Sequence, residues 1–83
     1  MPILHHNRID VRDAHGRRRG NVVVYVNAAW DTVSFLANGT RYGNARCDAE
    51  TWKLDLPRVT VECHSLSEAV SLGMAEGKRI CLR

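Results

Sequence analysis

At 83 residues the chain is too short for two independent cores and long enough for one, and 45% apolar with 25% charged residues is a globular balance that excludes disorder throughout. No apolar run approaches the ~18 residues that span a bilayer, and the start, Met1-Pro-Ile-Leu-His-His6, lacks the charged-then-apolar layout of a secretory signal, so a soluble, cytoplasmic single domain with no membrane partner is expected. The net charge of +3 is placed unevenly, with five Arg against two Asp in residues 1–20 and seven basic against seven acidic side chains in residues 21–83.

Residues 1–7 read as a loosely ordered lead-in. Arg8-Ile-Asp-Val-Arg12 then alternates with period two, as a strand with one wet face does. Asn21–Asn27, with Val22, Val23, Val24, Tyr25 and Val26, is apolar on both faces and reads as a central strand paired with it. Between them Asp13-Ala-His-Gly-Arg-Arg-Arg-Gly20 is bracketed by Gly16 and Gly20, which predicts a mobile hairpin tip carrying three adjacent guanidinium groups.

Residues 28–38 admit two readings. Ala29, Trp30, Val33, Leu36 and Ala37 fit a helix face with Asn27 and Asn38-Gly39 as caps. The β-branched run Thr32-Val-Ser-Phe35 followed by Asn38-Gly39 favours a strand and a two-residue hairpin turn, with Phe35 opposite Tyr42. Thr40–Cys47 would be the return strand, with Gly43 marking a bulge or a close approach, and Asp48–Glu50 a turn. Thr51–Leu56 alternates, with Trp52, Leu54 and Leu56 on one side. Val59–Cys63 alternates again after Pro57. Ser65-Leu-Ser-Glu68 has capping-box spacing, so a helix starts at Leu66, carries Leu66, Ala69, Val70 and Met74 inward past a close-packed Gly73, and stops at Gly77. Lys78–Arg83 reads as a last strand. The sum is an α+β fold, a small antiparallel sheet of four to six short strands with one helix on one face.

Chemistry centres on Arg17, Arg18 and Arg19. Guanidinium groups contact phosphate at several points and release counterions on binding, so the tip, extended by Arg8 and Arg12, predicts a nucleic acid or nucleoprotein partner; an acidic protein surface is the alternative. Tyr25, Trp30, Phe35, Tyr42 and Trp52 lie on different strands and read mainly as core, with Tyr42 beside Arg41 and Trp52 beside Lys53 as surface stacking positions. Leu72 falls off the apolar stripe between Glu68 and Glu76 and is a partner-contact candidate. Cys47, Cys63 and Cys81 lack disulfide or zinc spacing, and Cys63 and Cys81 read as small buried hydrophobes. His5, His6, His15 and His64 form no ligand pair with them, so neither metal nor other cofactor is expected. A metal-independent ribonuclease using His15 or His64 with the arginines is the weakest alternative. An uncovered sheet edge would suit a homodimer.

Lys53-Leu-Asp-Leu-Pro57 followed by Val59-Thr-Val-Glu-Cys-His-Ser-Leu-Ser-Glu-Ala-Val70 resembles the D-L-P, strand, T-L-E-E-A helix start of HicB-type antitoxins over about a quarter of the chain. Arg58 stands where that family has glycine, and the N-terminal hairpin and the missing DNA-binding tail depart from it. The resemblance implies a module that blocks a toxin. In size and charge the chain is also similar to small accessory proteins of phages and mobile elements, anti-CRISPR inhibitors among them, which implies stoichiometric binding. The expected function is therefore a non-catalytic binding module with Arg8, Arg12, Arg17, Arg18, Arg19, Arg41 and Leu72 as contact residues, and a protein-binding inhibitor as the alternative.

Overall fold

Period-two alternation of buried and exposed side chains runs through six consecutive segments, and in the computed structural model they form one antiparallel sheet. The structure describes residues 3–83, with side chains from His6 onward. The strands are β1 (Ile3–Arg12), β2 (Arg18–Asn27), β3 (Thr32–Ala37), β4 (Thr40–Asp48), β5 (Thr51–Asp55) and β6 (Thr60–Cys63), in that order across the sheet, and α1 (Leu66–Cys81) packs on one face. This is the expected α+β architecture. Of the lead-in expected at residues 1–7, residues 1–2 lie outside the described residues, and the backbone of residues 3–7 continues β1 and pairs with the far half of β2.

One face of every strand faces the helix. Val24, Val26, Val33, Phe35, Ala45, Trp52, Leu54, Cys63 and Ala69 form the main core, and Val11, Val22, Ala37 and Cys81 continue it toward the hairpin end. The strand reading of residues 32–37 holds because Val33, Phe35 and Ala37 alternate into this core. Asn27 is a cap, as expected, but of a turn rather than a helix: its Oδ1 accepts from the amides of Asp31 (3.0 Å) and Thr32 (3.1 Å).

Asn38 and Gly39 both adopt positive φ (53° and 84°), the backbone that a two-residue hairpin turn requires. The expected pairing of Phe35 with Tyr42 is displaced, however. Phe35 pairs with Gly43, and Tyr42 is the extra residue of a bulge. The bulge turns Tyr42 toward the helix, where its hydroxyl donates to the Gly73 carbonyl at 2.5 Å. Burial pushes the Tyr42 phenol far above its ordinary range, so it remains a neutral donor.

The helix departs most from expectation. Ser65 caps it, its hydroxyl accepting from the Glu68 amide at 3.0 Å, while the Glu68 carboxylate reaches one residue further back than a capping box and accepts from the His64 amide at 2.7 Å. Gly77 does not end the helix, and the strand expected at Lys78–Arg83 is not formed. The buried stripe is Ala69, Gly73, Gly77 and Cys81, four residues apart. A methyl group on Gly77 would meet the Tyr42 hydroxyl and Val22, and one on Gly73 would meet the Phe35 ring. The two glycines bring the helix axis down onto the sheet. Lys78 and Arg79 consequently lie in the last helical turn, where cations favour the negative end of the helix dipole.

The β4–β5 turn places Ala49 and Glu50 at φ 55° and 91°. A side chain in the left-handed region costs about 1 kcal/mol, partly offset by the greater freedom glycine has when unfolded. Glu50→Gly is expected to raise the melting temperature by a few degrees, checked by thermal unfolding followed by circular dichroism.

Candidate nucleic-acid interface

The second face of the sheet is not covered by the helix, and the pairing register fixes what it displays. One cross-strand row reads Arg8, Val23, Leu36, Arg41. The next reads His6, Tyr25, Ser34, Asn44, Asp55, Thr60, and the third continues Thr32, Arg46, Lys53, Glu62. The His6 and Tyr25 rings stack with centroids 4.8 Å apart and planes 13° from parallel. Strict polar-out alternation would leave this face hydrophilic. Instead Val23, Tyr25 and Leu36 form a half-buried apolar centre, flanked roughly 15 Å apart by Arg8 and Arg41, three strand spacings across the sheet.

The arginine tip is organised around two aspartates. Strand geometry resumes at Arg18, so the turn proper is Asp13–Arg17, closed by the Asp13 amide donating to the Arg17 carbonyl at 2.9 Å. Asp13 Oδ1 accepts from the amides of His15 (2.9 Å) and Arg17 (3.0 Å). Its other oxygen lies 3.4 Å from Arg17 and 3.7 Å from Arg19, and Asp10 lies 3.4 Å from Arg18. Each tip arginine thus has a carboxylate within the fold. Arg8, Arg41, Arg46 and Lys53 form no ion pair among the described residues. Exposed pairs contribute only about 0.2–1 kcal/mol each, so phosphate can displace them, whereas no carboxylate lies within ion-pair distance of the sheet-face cations among the described residues, the Arg46 charge acting on Asp31 from further away.

Arg19 also donates to the Arg83 carbonyl at 3.1 Å, and Cys81 Sγ donates to the Asn21 carbonyl at 3.6 Å. These contacts bring the end of the helix to the hairpin, adding Lys78, Arg79 and Arg83 to the end of the molecule that already holds Arg12 and Arg17 to Arg19. Asp31, Asp48, Glu50 and Glu68 lie on or beside the turns at the opposite end. The charge is therefore polarised along the strand direction, a field that orients a polyanion before contact. Read as a strand, Lys78–Arg83 has no defined position beside the tip, and this clustering stays hidden.

Three carboxylates are held below their ordinary range. For Asp13 partial burial pushes upward, and is outweighed by the Arg17 and His15 amides and by the Arg19 charge. For Asp31 the Asn27 side-chain hydrogen bond leads, and for Glu76 the Arg79 hydrogen bond. A carboxyl whose folded pKa is depressed contributes stability that is present above its unfolded pKa and is lost as pH falls through the folded value. The melting temperature should therefore be flat from pH 7 to roughly 4.5 and fall below about pH 4, measured by thermal unfolding across that series, with Asp13→Asn flattening the acid limb.

The remaining expected contact residues separate. Leu72 is 40% exposed, but on the helix, the layer opposite the open sheet face. His15 is on the tip and His64 precedes the helix start, so a 16-residue helix of about 24 Å lies between the ends they occupy, and they form no acid–base pair. Tyr42 and Trp52 point into the core rather than offering surface stacking positions, whereas Tyr25 is the aromatic on the open face. Sequence reasoning misses that placement because an apolar run cannot by itself say which of its two faces is covered; the alternation of His6 and Arg8 opposite Tyr25 and Val23 is the available signal. Cys63 and Cys81 are buried as expected, and burial raises the Cys63 thiol. The side chain of His5 lies outside the described residues. No three His, Cys, Asp or Glu side chains converge as metal ligands among the described residues, and no helix there is long and apolar enough to cross a membrane. No protein family, characterised protein or solved structure matches this chain.

Proposed function

We propose that this protein is a non-catalytic module that binds single-stranded nucleic acid on its open sheet face, with the arginine tip and helix end extending the basic surface. One observation carries the reading: Arg8 and Arg41 bracket the Val23 and Leu36 centre, beside the Tyr25 and His6 stack, on the face that the helix leaves uncovered. Proteins that hold single strands combine a positive track for the backbone with aromatic surfaces on which bases stack. A sheet face suits an unstacked strand, whereas a duplex hides its base faces and gives Tyr25 nothing to stack on. Three free thiols, two of them buried, fit a reducing, cytoplasmic setting.

Tyr25→Ala removes the stacking surface without removing charge. It is expected to weaken binding of a labelled single-stranded oligonucleotide roughly tenfold, measured by fluorescence anisotropy at 50 mM salt, with Tyr25→Phe retaining most of the affinity. Binding of wild type to duplex but not to single strands would move the contact to the hairpin tip. Absence of binding to any nucleic acid at that salt would leave a protein-blocking role, with Leu72→Glu the variant that then reports on the helix face.

A further inference from the structure

A shallow depression of about 210 Å³ opens on the uncovered face between β3, β4 and β5, lined by Thr32, Asn44, Ala45, Arg46, Lys53 and Asp55. It is smaller than a drug-sized pocket and suits a single planar ring system. Asn44 and Asp55 are register partners across β4 and β5, as are Arg46 and Lys53, so the floor is a two-by-two arrangement of cross-strand pairs. The Asp55 carboxylate is oriented by Thr60, whose hydroxyl donates to Oδ1 at 2.8 Å. Its Oδ2 and the Asn44 side-chain amide have no partner among the described residues, and neither Arg46 nor Lys53 is ion-paired there. A fixed acceptor and a spare amide from the Tyr25 row thus share one hollow with two cations of the next row that have no ion-pair partner among the described residues.

The donor and acceptor pattern selects among bases. A carboxylate accepts hydrogen bonds only, so the base beside Asp55 must present donors. On its Watson–Crick edge guanine offers two adjacent donors, N1–H and the N2 amino group, with the O6 acceptor beyond them. Cytosine and adenine offer one amino donor next to a ring acceptor that would face the carboxylate, and uracil and thymine offer one imino donor between two carbonyl oxygens. Guanine also supplies O6 to the Asn44 amide or to Lys53, and its phosphate to Arg46. We infer that the hollow between β3, β4 and β5 is a guanine-reading subsite for a base carried in a single strand, with Asp55 as the specificity-determining acceptor. This rests on the open sheet face being the nucleic-acid surface proposed above.

The test titrates wild type and Asp55→Asn with labelled oligothymidylates identical except for one central G, C or A, alongside unlabelled GMP as competitor. Wild type should bind the G-containing strand roughly tenfold more tightly than the others, since one bidentate base contact discriminates on that scale. Asp55→Asn keeps an oxygen for Thr60 but turns half of the accepting edge into a donor, so it should lose the preference while binding plain oligothymidylate at least as well, having shed a negative charge. Circular dichroism establishes that the variant is folded. Equal affinity of wild type for plain oligothymidylate and the three substituted strands, or a preference that survives in Asp55→Asn, overturns the guanine assignment and leaves the sheet-face reading intact. GMP competing as tightly as the G-containing strand overturns the strand-borne part in favour of a free nucleotide. Failure of wild type to bind any strand overturns the underlying surface itself.

Discussion

Gly73→Ala is expected to melt on the order of 10 °C below wild type, although in an isolated helix the same change stabilises by about 1 kcal/mol. The sign reverses because the added methyl group falls inside van der Waals contact of three carbons of the Phe35 ring. Phe35 is fully buried and enclosed by the main core, so its ring has no free direction to move. Overpacking a rigid site costs about 1–3 kcal/mol and sometimes more. At the upper end of that range the net loss is about 2 kcal/mol, which in a domain of this size corresponds to roughly 8–16 °C. A thermal-unfolding cycle isolates the cause: Phe35→Leu opens space on the ring side, so adding Gly73→Ala to it should cost clearly less than adding it to wild type. Ser71→Ala, on the exposed side of the same helix, controls for propensity and should not lower the melting temperature. If Gly73→Ala melts at or above wild type, the helix does not lie as close to β3 as described. Gly77→Ala should behave similarly through Tyr42 and Val22, and it touches function as well, since the turn it anchors carries Lys78 and Arg79 to the basic end.

Those two glycines also mark the limit of what is legible in the chain. Strands such as Thr51–Asp55 are readable because Trp52 and Leu54 alternate with polar residues, and burial of one sheet face imposes that period, whereas Thr32–Ala37 also fits a helix face and only its β-branched run and the Asn38-Gly39 turn tip it to a strand. The capped helix start is readable because Ser65 and Glu68 act over four residues. Gly77 is not readable: a glycine after an apolar stripe has the same appearance whether it ends a helix or lets the helix touch a sheet, and the choice depends on Tyr42 and Val22, far away in the sequence. The bulge is legible in part: Gly43 signals it, sits beside it opposite Phe35 and passes close to the Asp55 carbonyl, but that Tyr42 is the extra residue depends on its hydrogen bond to Gly73, far away in the sequence. The candidate site is legible in part. The arginine-rich segment can be seen at once, but not that Asp10 and Asp13 occupy it. Arg8 and Arg41 are visible as separate residues. Their common row, with Val23 and Leu36 between them, exists only once the register of three hairpins is set.

Salt dependence distinguishes the two basic surfaces most sharply. If Arg8, Arg41, Arg46 and Lys53 each neutralise one phosphate of a single strand, the logarithm of affinity should fall with the logarithm of salt at a slope of about −2.8, or roughly fifty-fold between 50 and 200 mM. Arg8→Gln with Arg41→Gln removes two of the four contacts. The slope should drop to about −1.4, and the same salt step should then cost only about sevenfold. The tip triple Arg17→Gln, Arg18→Gln, Arg19→Gln should change the slope less, because those groups begin in ion pairs with Asp10 and Asp13 and displace fewer counterions when phosphate takes over. Anisotropy titrations at four salt concentrations give all three slopes. A slope that persists in the double variant and collapses in the triple variant would assign the phosphate contacts to the hairpin and helix end, with the sheet face left to whatever stacks on Tyr25. Slopes reduced in both by their full phosphate count would mean that one strand crosses the face between Arg8 and Arg41 and continues onto the tip, the path along which the polarised charge of the molecule would draw it.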